Sequence, residues 1–466
     1  MADYAKIFKA YDIRGTVPEE LDESVAEGVG AAFARLTGAP AIVTVHDMRA
    51  SSAPLAEAFA RGAAAQGSDV VSGGLGSTDL LYYASGSLGL PGAMITASHN
   101  PARYNGIKLC RAGARPVGAE TGLAELRAMA EGGVPAHRGA PGTITARDLL
   151  SGYAAHLKTL VDLSGIRPLT VAVDAGNGMA GHTVPQVFEG LPVELVPLYF
   201  ELDGTFPNHE ANPIDPKNLV DLQQAVASSG ADIGLAFDGD ADRCFLVDER
   251  GETVSPSVLT ALIAVSELAR EPGATIIYNL ITSRAVPEIV SAHGGTPVRT
   301  RVGHSFIKAR MADCGAIFGG EHSGHFYFRD FWFADSGMLA ALHVLAALGS
   351  QDGPLSALLS AYARYRSSGE INSEVRDQAG ATQRVRAAFA GQDGVWMDEQ
   401  DGLTVGAGDW WFNLRPSNTE PLLRLNVEAP DDATLIDVRD RVLRIVHGDA
   451  AQTRRIARPL TPREMR

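Results

Sequence analysis

Ile233-Gly234-Leu235-Ala236-Phe237 runs directly into Asp238-Gly239-Asp240-Ala241-Asp242-Arg243. Five small or apolar residues read as a buried strand, and the acidic run after them as a loop at its end. In open α/β sheets the ends of strands are where ligands bind. Three carboxylates at every second position repel one another unless a cation neutralises them. Hard oxygen donors of this kind suit Mg²⁺. A calcium-binding EF-hand loop competes, because Asp238, Asp240, Asp242 and Glu249 occupy its ligand positions 1, 3, 5 and 12. Arg243 stands where that loop needs glycine, Leu246 where it needs a polar ligand, and the flanks read as strands rather than helices. A solvated acidic turn is the plainer alternative.

Outward from this stretch, short apolar runs alternate with amphipathic ones. Leu169–Val173 and Val193–Leu198 read as strands and Leu219–Ala227 as a helix. An earlier round has strands at Ala41–Val45, Asp69–Val71 and Gly92–Ile95, with a helix at Pro54–Ala65. A later round has a strand at Ala274–Tyr278 and a helix near Val286–Ala292. Such alternation predicts α/β layers, and its three restarts predict three similar modules. Beyond residue 368 the pattern changes. Gly402–Val405, Asp409–Leu414 and Leu422–Val427 read as strands around a polar loop, closed by a helix at Val438–Val446. The expected domains are therefore 1–150, 151–253, 254–367 and 368–466.

The 466 residues leave room for several cores, and 45% hydrophobic with 20% charged residues is a globular composition. Forty Lys and Arg against 55 Asp and Glu give a net charge of −15, without the basic footprint of a nucleic-acid binder. Cys110, Cys244 and Cys314 are odd in number and far apart, which predicts free thiols in a reducing compartment. The N-terminal stretch has no apolar signal region. The apolar run Met338–Leu348 is too short to span a bilayer, which needs about 20 residues. A cytoplasmic protein with no membrane partner is expected.

Three more polar segments interrupt the pattern. Thr96-Ala97-Ser98-His99-Asn100-Pro101 follows the strand Gly92–Ile95, with Lys108 shortly after it. Its small neighbours leave the Ser98 hydroxyl accessible. It also reads as an ordinary turn or, with His99, as part of a hydrolase, although no G-x-S-x-G elbow exists. Gly320-Glu321-His322-Ser323-Gly324-His325 offers an acceptor and a donor for sugar hydroxyls. His322 and His325 raise a zinc site, and a structural strand–turn is a further reading. Arg415-Pro416-Ser417-Asn418-Thr419-Glu420-Pro421 concentrates a guanidinium, two hydroxyls and an amide, a donor set for a phosphate dianion or a self-bonded hairpin loop. Gly28-Val29-Gly30 lies in a helical pattern with Phe33 in place of a third glycine, so no dinucleotide site is expected.

A serine nucleophile, a metal-binding acidic loop, a hydroxyl grip and a phosphate clamp in one chain call for phosphoryl chemistry on a phosphorylated polyol. In order and spacing, T-A-S-H-N-P, D-G-D-A-D-R, G-E-H-S-G-H and R-P-S-N-T-E-P resemble the α-D-phosphohexomutases, and G-E-x-S-G-H resembles their bacterial phosphomannomutase/phosphoglucomutase branch. The resemblance covers essentially the whole chain. It implies three similar mixed-sheet α/β domains and a C-terminal TBP-like α+β domain around a central cleft. It implies that Ser98 is carried as phosphoserine and that Asp238, Asp240 and Asp242 bind Mg²⁺ with an oxygen of that group. Arg14 would support the phosphoserine, and Arg243, Lys108 and His304 would act near proton transfer and phosphate binding. Glu321 and Ser323 would hold sugar hydroxyls with His325 close by, and Arg415, Ser417, Asn418 and Thr419 would clamp the phosphate that is not reacting. One departure is Ile281, at a position where some bacterial members carry lysine; Arg284 and Arg301 are the nearby cations.

The implied activity is reversible conversion of hexose 6-phosphate and hexose 1-phosphate, mannose and glucose, through a 1,6-bisphosphate that also serves as catalytic activator. A non-catalytic sugar-phosphate sensor, a phosphoglucosamine mutase, and a phosphatase or serine hydrolase are the alternatives. A monomer is expected, with a dimer left open.

Overall fold

The computed structural model describes residues 3–417 and 422–448, with the side chains of His304 and Ser305 excepted. The chain divides into two compact units, Met1–Tyr362 and Ala363–Arg466. The first holds three mixed sheets, the second one antiparallel sheet.

The three sheets of the first unit share one core order. In the first, Asp69–Leu75, Ala41–His46 and Gly92–Ile95 are parallel neighbours, and Tyr104–Arg111 returns antiparallel beside the last. In the second, Val193–Leu198, Leu169–Asp174 and Ile233–Phe237 are parallel and Cys244–Asp248 returns antiparallel. In the third, Thr296–Thr300, Thr275–Asn279 and Phe318–Gly320 are parallel and Phe326–Phe328 returns antiparallel. The expected threefold repetition is thus a repetition of topology. In each module the polar segment read from the sequence is the connection between the last parallel strand and its antiparallel neighbour.

These strands are central because both their faces are apolar. Every residue of Gly92–Ile95, Ile233–Phe237 and Cys244–Asp248 is buried. Helices cover the sheets. Glu23–Thr37 starts where Asp22 accepts a hydrogen bond from the Val25 amide and stops at Gly38, whose φ of 57° is left-handed. It packs on Ser52–Ala65 so closely that a Cβ on Gly30 would sit 2.1 Å from the Phe59 carbonyl oxygen. That contact explains the Gly28-Val29-Gly30 stretch: its glycine is needed for helix packing. The apolar run around His343 is the buried helix Gly337–Gly349, in which His343 stacks on Phe328 at 5.2 Å. Burial lowers the pKa of its imidazole to about 3. Among the described residues no helix is long and apolar enough to cross a membrane.

In the second unit the sheet order is Arg366–Glu374, Leu422–Ala429, Trp410–Pro416, Leu403–Ala407, Val395–Asp398, all antiparallel. Gln378–Phe389 and Asp432–His447 are its helices. The closing helix begins earlier than its apolar period, because Asp431 caps the Thr434 amide and the first turn is polar. The strand Arg366–Glu374 escaped the sequence reading, since RSSGEINSE carries a single large apolar residue. It lies at the sheet edge, where one face stays in solvent.

Candidate active site

The Gly92–Ile95 strand delivers the chain into a turn in which Ser98 adopts φ 51°, a left-handed conformation uncommon for a residue with a side chain. Its amide donates to Thr96 Oγ1 at 2.9 Å, and its hydroxyl donates to Asp238 Oδ2 at 2.7 Å. The two loops meet backbone to backbone: a Cβ on Gly239 would lie 2.5 Å from the Ser98 carbonyl oxygen. Only glycine allows that approach. Arg243 Nη2 donates to Ser98 Oγ at 3.4 Å and also to His99 Nδ1. Burial, then the Arg243 charge, pushes the His99 pKa well below its usual value, so its ring is neutral.

Asp238, Asp240 and Asp242 are all buried, and one oxygen of each lies within 4.8 Å of the others. Two cations offset them. Lys108, on the returning strand opposite Met94, places Nζ 2.7 Å from both Asp240 Oδ2 and Asp242 Oδ2. Arg243 Nε lies 3.1 Å from Asp238 Oδ2. Thr78 Oγ1 donates to Asp240 Oδ2 at 2.6 Å. The electrostatics separate the carboxylates. Burial and the negative charges of Asp242 and Asp240 push the Asp238 pKa up to about 7, although Arg243 opposes them. Burial would also raise that of Asp240, but Lys108 outweighs it and brings it down. Asp240 Oδ1 and Asp242 Oδ1 are buried with no hydrogen-bond partner. Buried orphan oxygens are costly, and two of them beside a third carboxylate fit a divalent cation with oxygen ligands. The EF-hand reading fails: strands flank the loop, and Glu249 is bonded to Ser356.

The third loop reaches the same place. His325 and Arg243 pair as an antiparallel bridge, and the Cys244 amide donates to the Gly324 carbonyl at 3.2 Å. His325 Nδ1 lies 2.8 Å from Asp335 Oδ2 and 3.8 Å from Asp242 Oδ1. Burial lowers the His325 pKa, but the two carboxylates win and raise it. Asp335 also pairs with buried Lys308 at 2.7 Å. Glu321 is buried and held on three sides, by Tyr327 Oη at 2.6 Å, Ser323 Oγ at 3.1 Å and Asn279 Nδ2 at 3.2 Å. His322 joins no metal-sized group among the described residues, and its Nδ1 lies 3.5 Å from Ser257 Oγ. Asp242, His325 and Asp335 form a second such group, in which Asp335 already has the Lys308 ammonium as counter-ion.

Arg14 reaches the serine loop through Asn100, whose Oδ1 accepts from Nη1 at 2.6 Å. Ile281 is buried; Arg284 pairs with Glu288 and Arg301 stacks over Phe306. His304 opens the helix His304–Cys314 and its side chain lies outside the described residues. In the second unit, Arg415 and Arg424 face each other across two strands and both pair with Glu370, at 3.0 and 3.4 Å. Arg424 donates to Ser417 Oγ at 3.2 Å. Asn418 and Thr419 lie outside the described residues.

The sequence reading missed Thr78, Arg49, Asn279, Tyr327, Lys308 and Asp335. Asp47-Met48-Arg49, a charged pair just past the Ala41–His46 strand, carried a usable signal; the others sit in ordinary-looking segments.

Four family models match in order, described as phosphoglucomutase/phosphomannomutase alpha/beta/alpha domains I, II and III and C-terminal domain, over residues 5–132, 151–251, 255–365 and 370–445. The chain is 41% identical over 445 residues to a phosphomannomutase of Salmonella typhimurium, covering 94% of this chain and 97% of that one. It is 43% identical over 439 residues to a protein of Xanthomonas campestris pv. campestris named phosphohexose mutases, covering 93% and 97%. A crystal structure of a phosphoglucomutase/phosphomannomutase family protein from Burkholderia thailandensis superposes with a TM-score of 0.86 at 34% identity, over 97% of this chain and 99% of that one.

Proposed function

The chain belongs to the phosphoglucomutase/phosphomannomutase family, and from that premise we propose the route by which this phosphohexomutase interconverts hexose phosphates. Ser98 carries a phosphoryl group. It transfers that group to the free hydroxyl of a hexose 6-phosphate or 1-phosphate: the phosphoserine P–O bond breaks as a bond from the sugar oxygen forms, the sugar hydroxyl gives up its proton, and the departing Ser98 oxygen takes one up to become the free hydroxyl. The resulting 1,6-bisphosphate turns over and returns its other phosphoryl group to Ser98. Added hexose 1,6-bisphosphate primes the cycle.

The observation that carries this reading is Ser98 Oγ bonded at 2.7 Å to Asp238, inside a trio of buried carboxylates flanked by Lys108 and Arg243. Asp238, Asp240 and Asp242 would hold Mg²⁺ with a phosphoserine oxygen; the ion supplies positive charge to the phosphoryl oxygens. Arg243, already on Ser98 Oγ, orients that oxygen and adds charge where it develops. Lys108 holds Asp240 and Asp242 in place. Arg14 orients the loop through Asn100. Glu321, fixed by three donors, grips sugar hydroxyls with Ser323 and His325 beside it. The Arg415–Ser417 segment, with Asn418 and Thr419, binds the phosphate that is not reacting. Each of the domains 1–150, 151–253, 254–367 and 368–466 carries one of these loops. The enzyme acts as a cytoplasmic monomer on small-molecule sugar phosphates.

Mannose and glucose phosphates differ only at the 2-hydroxyl. A grip on the 3- and 4-hydroxyls does not distinguish them, so both are substrates, with kcat/KM within about tenfold, or about 1.4 kcal/mol. Parallel assays of mannose, glucose and glucosamine 1-phosphates with bisphosphate and Mg²⁺ test this, together with intact-mass measurement of Ser98 phosphorylation. A preference above about a thousandfold between the hexoses removes dual specificity. A Ser98 that never takes phosphate from sugar bisphosphate removes the mutase route and leaves the sensor.

A further inference from the structure

Arg49 lies just beyond the Ala41–His46 strand, and its guanidinium is nearly inaccessible to solvent. Burying a cation costs several kcal/mol unless its donors are matched, and here all five are. Nε donates to Asp47 Oδ2 at 3.2 Å, and Nη1 donates to the carbonyls of Pro101 and Tyr104 at 3.0 and 2.9 Å. Nη2 donates to the carbonyls of Ser98 and Asn100 at 2.8 and 2.7 Å. Four backbone carbonyls of a single loop therefore converge on one side chain. Asp47 is itself held by Ser52 and by the Arg49 amide, so the anchor is rigid.

The loop so held is the one that carries Ser98 in its left-handed conformation. Its carbonyl oxygen is pinned twice: Arg49 pulls it from one side, and the close approach of Gly239 limits it on the other. The second module also closes over Arg49. The Phe206 ring lies 5.1 Å over the guanidinium, and a Cβ on Gly204 would meet Arg49 Cα at 2.6 Å. Arg49 thus sits beneath the seam where the hydroxyl loop meets the carboxylate loop.

We propose that Arg49 is a positioning residue for phosphoryl transfer, holding the Ser98 loop so that its oxygen returns to the same point in each half-reaction. This rests on the reading of Ser98 as the phosphoryl carrier. A serine that serves first as leaving group and then as nucleophile must meet the sugar oxygen in line both times, and a displacement of about 1 Å costs about a hundredfold. Lysine offers three donors on a compact head and cannot span four carbonyls and a carboxylate; the flat guanidinium fork can.

The test compares the full-length wild type with Arg49→Lys, Arg49→Gln and Phe206→Leu, using mannose 1-phosphate, glucose 1,6-bisphosphate and Mg²⁺. Arg49→Lys is expected to lower kcat at least about a hundredfold with KM within about threefold. The rate of Ser98 phosphorylation by the bisphosphate, followed by intact mass, falls in parallel. Arg49→Gln falls further, while Phe206→Leu, which keeps all five donors, stays within about fivefold. A broadened or displaced ³¹P resonance of the phosphoserine in Arg49→Lys supports positioning, since a merely structural role leaves it unmoved. A kcat within about fivefold of wild type in Arg49→Lys overturns the proposal. So does a rise in KM that accounts for the loss, or an Arg49→Lys protein without native circular dichroism. If wild-type Ser98 takes no phosphoryl group, the mutase reading fails first; normal wild-type labelling with equal labelling of Arg49→Lys defeats the Arg49 proposal alone.

Discussion

Asp79 is fully buried and receives hydrogen bonds from three separate parts of the first unit: Tyr153 Oη at 2.7 Å, Ser336 Oγ at 2.6 Å, and Ser77 Oγ. Burial pushes its pKa up to about 6, against 3.8 for an ordinary aspartate, even though the three hydroxyls favour the charge. A folded-state pKa above the unfolded one means that the native protein holds the proton more tightly. The stability this contributes is complete below about pH 4 and is lost as pH rises through about 6. The gap of about 2 in pKa corresponds to about 3 kcal/mol at higher pH. Asparagine mimics the protonated acid: its Oδ1 can accept from Tyr153 and Ser336 while its amide donates to Ser77. Asp79→Asn should therefore match wild type near pH 4 and exceed it by up to about 3 kcal/mol near pH 8, the difference growing by at most about 1.4 kcal/mol per pH unit between about pH 4 and 6 and levelling off above. Urea unfolding followed by tryptophan fluorescence across that range measures it. Neighbouring Thr78 keeps its bond to Asp240, so kcat should stay within about threefold. A stability difference that does not grow with pH, or a variant weaker than wild type at pH 8, refutes the reasoning, because it would mean that the hydroxyls fully compensate the buried charge.

Asp240→Asn removes a carboxylate facing both Lys108 and the orphan-oxygen cluster; Mg²⁺ affinity should fall and kcat should drop about a thousandfold, equivalent to about 4 kcal/mol. Full activity of the wild type in EDTA would rule out the metal assignment. Glu370→Gln removes the carboxylate shared by Arg415 and Arg424. A part-buried pair of this kind contributes about 1 kcal/mol, so KM for mannose 1-phosphate and the inhibition constant of inorganic phosphate should both fall about fivefold. A rise in either would show that Glu370 orients Arg415 rather than competing with phosphate.

Much of this protein is written locally. A strand buried on both faces needs an unbroken apolar run, and the loop at its end needs small, polar and charged residues. Ile233–Phe237 with Asp238–Arg243, and Gly92–Ile95 with Thr96–Pro101, therefore read as strand and site without reference to the rest of the chain. Alternation at helical and strand periods likewise marks three α/β modules. What residues do to one another across the chain is not local. Ser98 and Asp238 are 140 positions apart, and Asp79 and Ser336 are 257 apart. Neither member of such a pair carries a mark of its partner, because hydrogen bonds and burial depend on distance in space. Thr78 and Asp335 are single polar residues whose sequence surroundings resemble any loop or helix start, and Arg49 shows only as half of a charged pair just past a strand. Folding within the first module makes Arg49 the floor of the serine loop, folding within the third makes Asp335 the acceptor for His325, and packing of the first module on the second makes Thr78 a hydrogen-bond donor to Asp240. The chain's own residues thus determined which loops are the candidates for the chemistry, and the tertiary structure decided which side chains hold those loops still, since desolvation and exact distance exist only once separate segments have closed on one another.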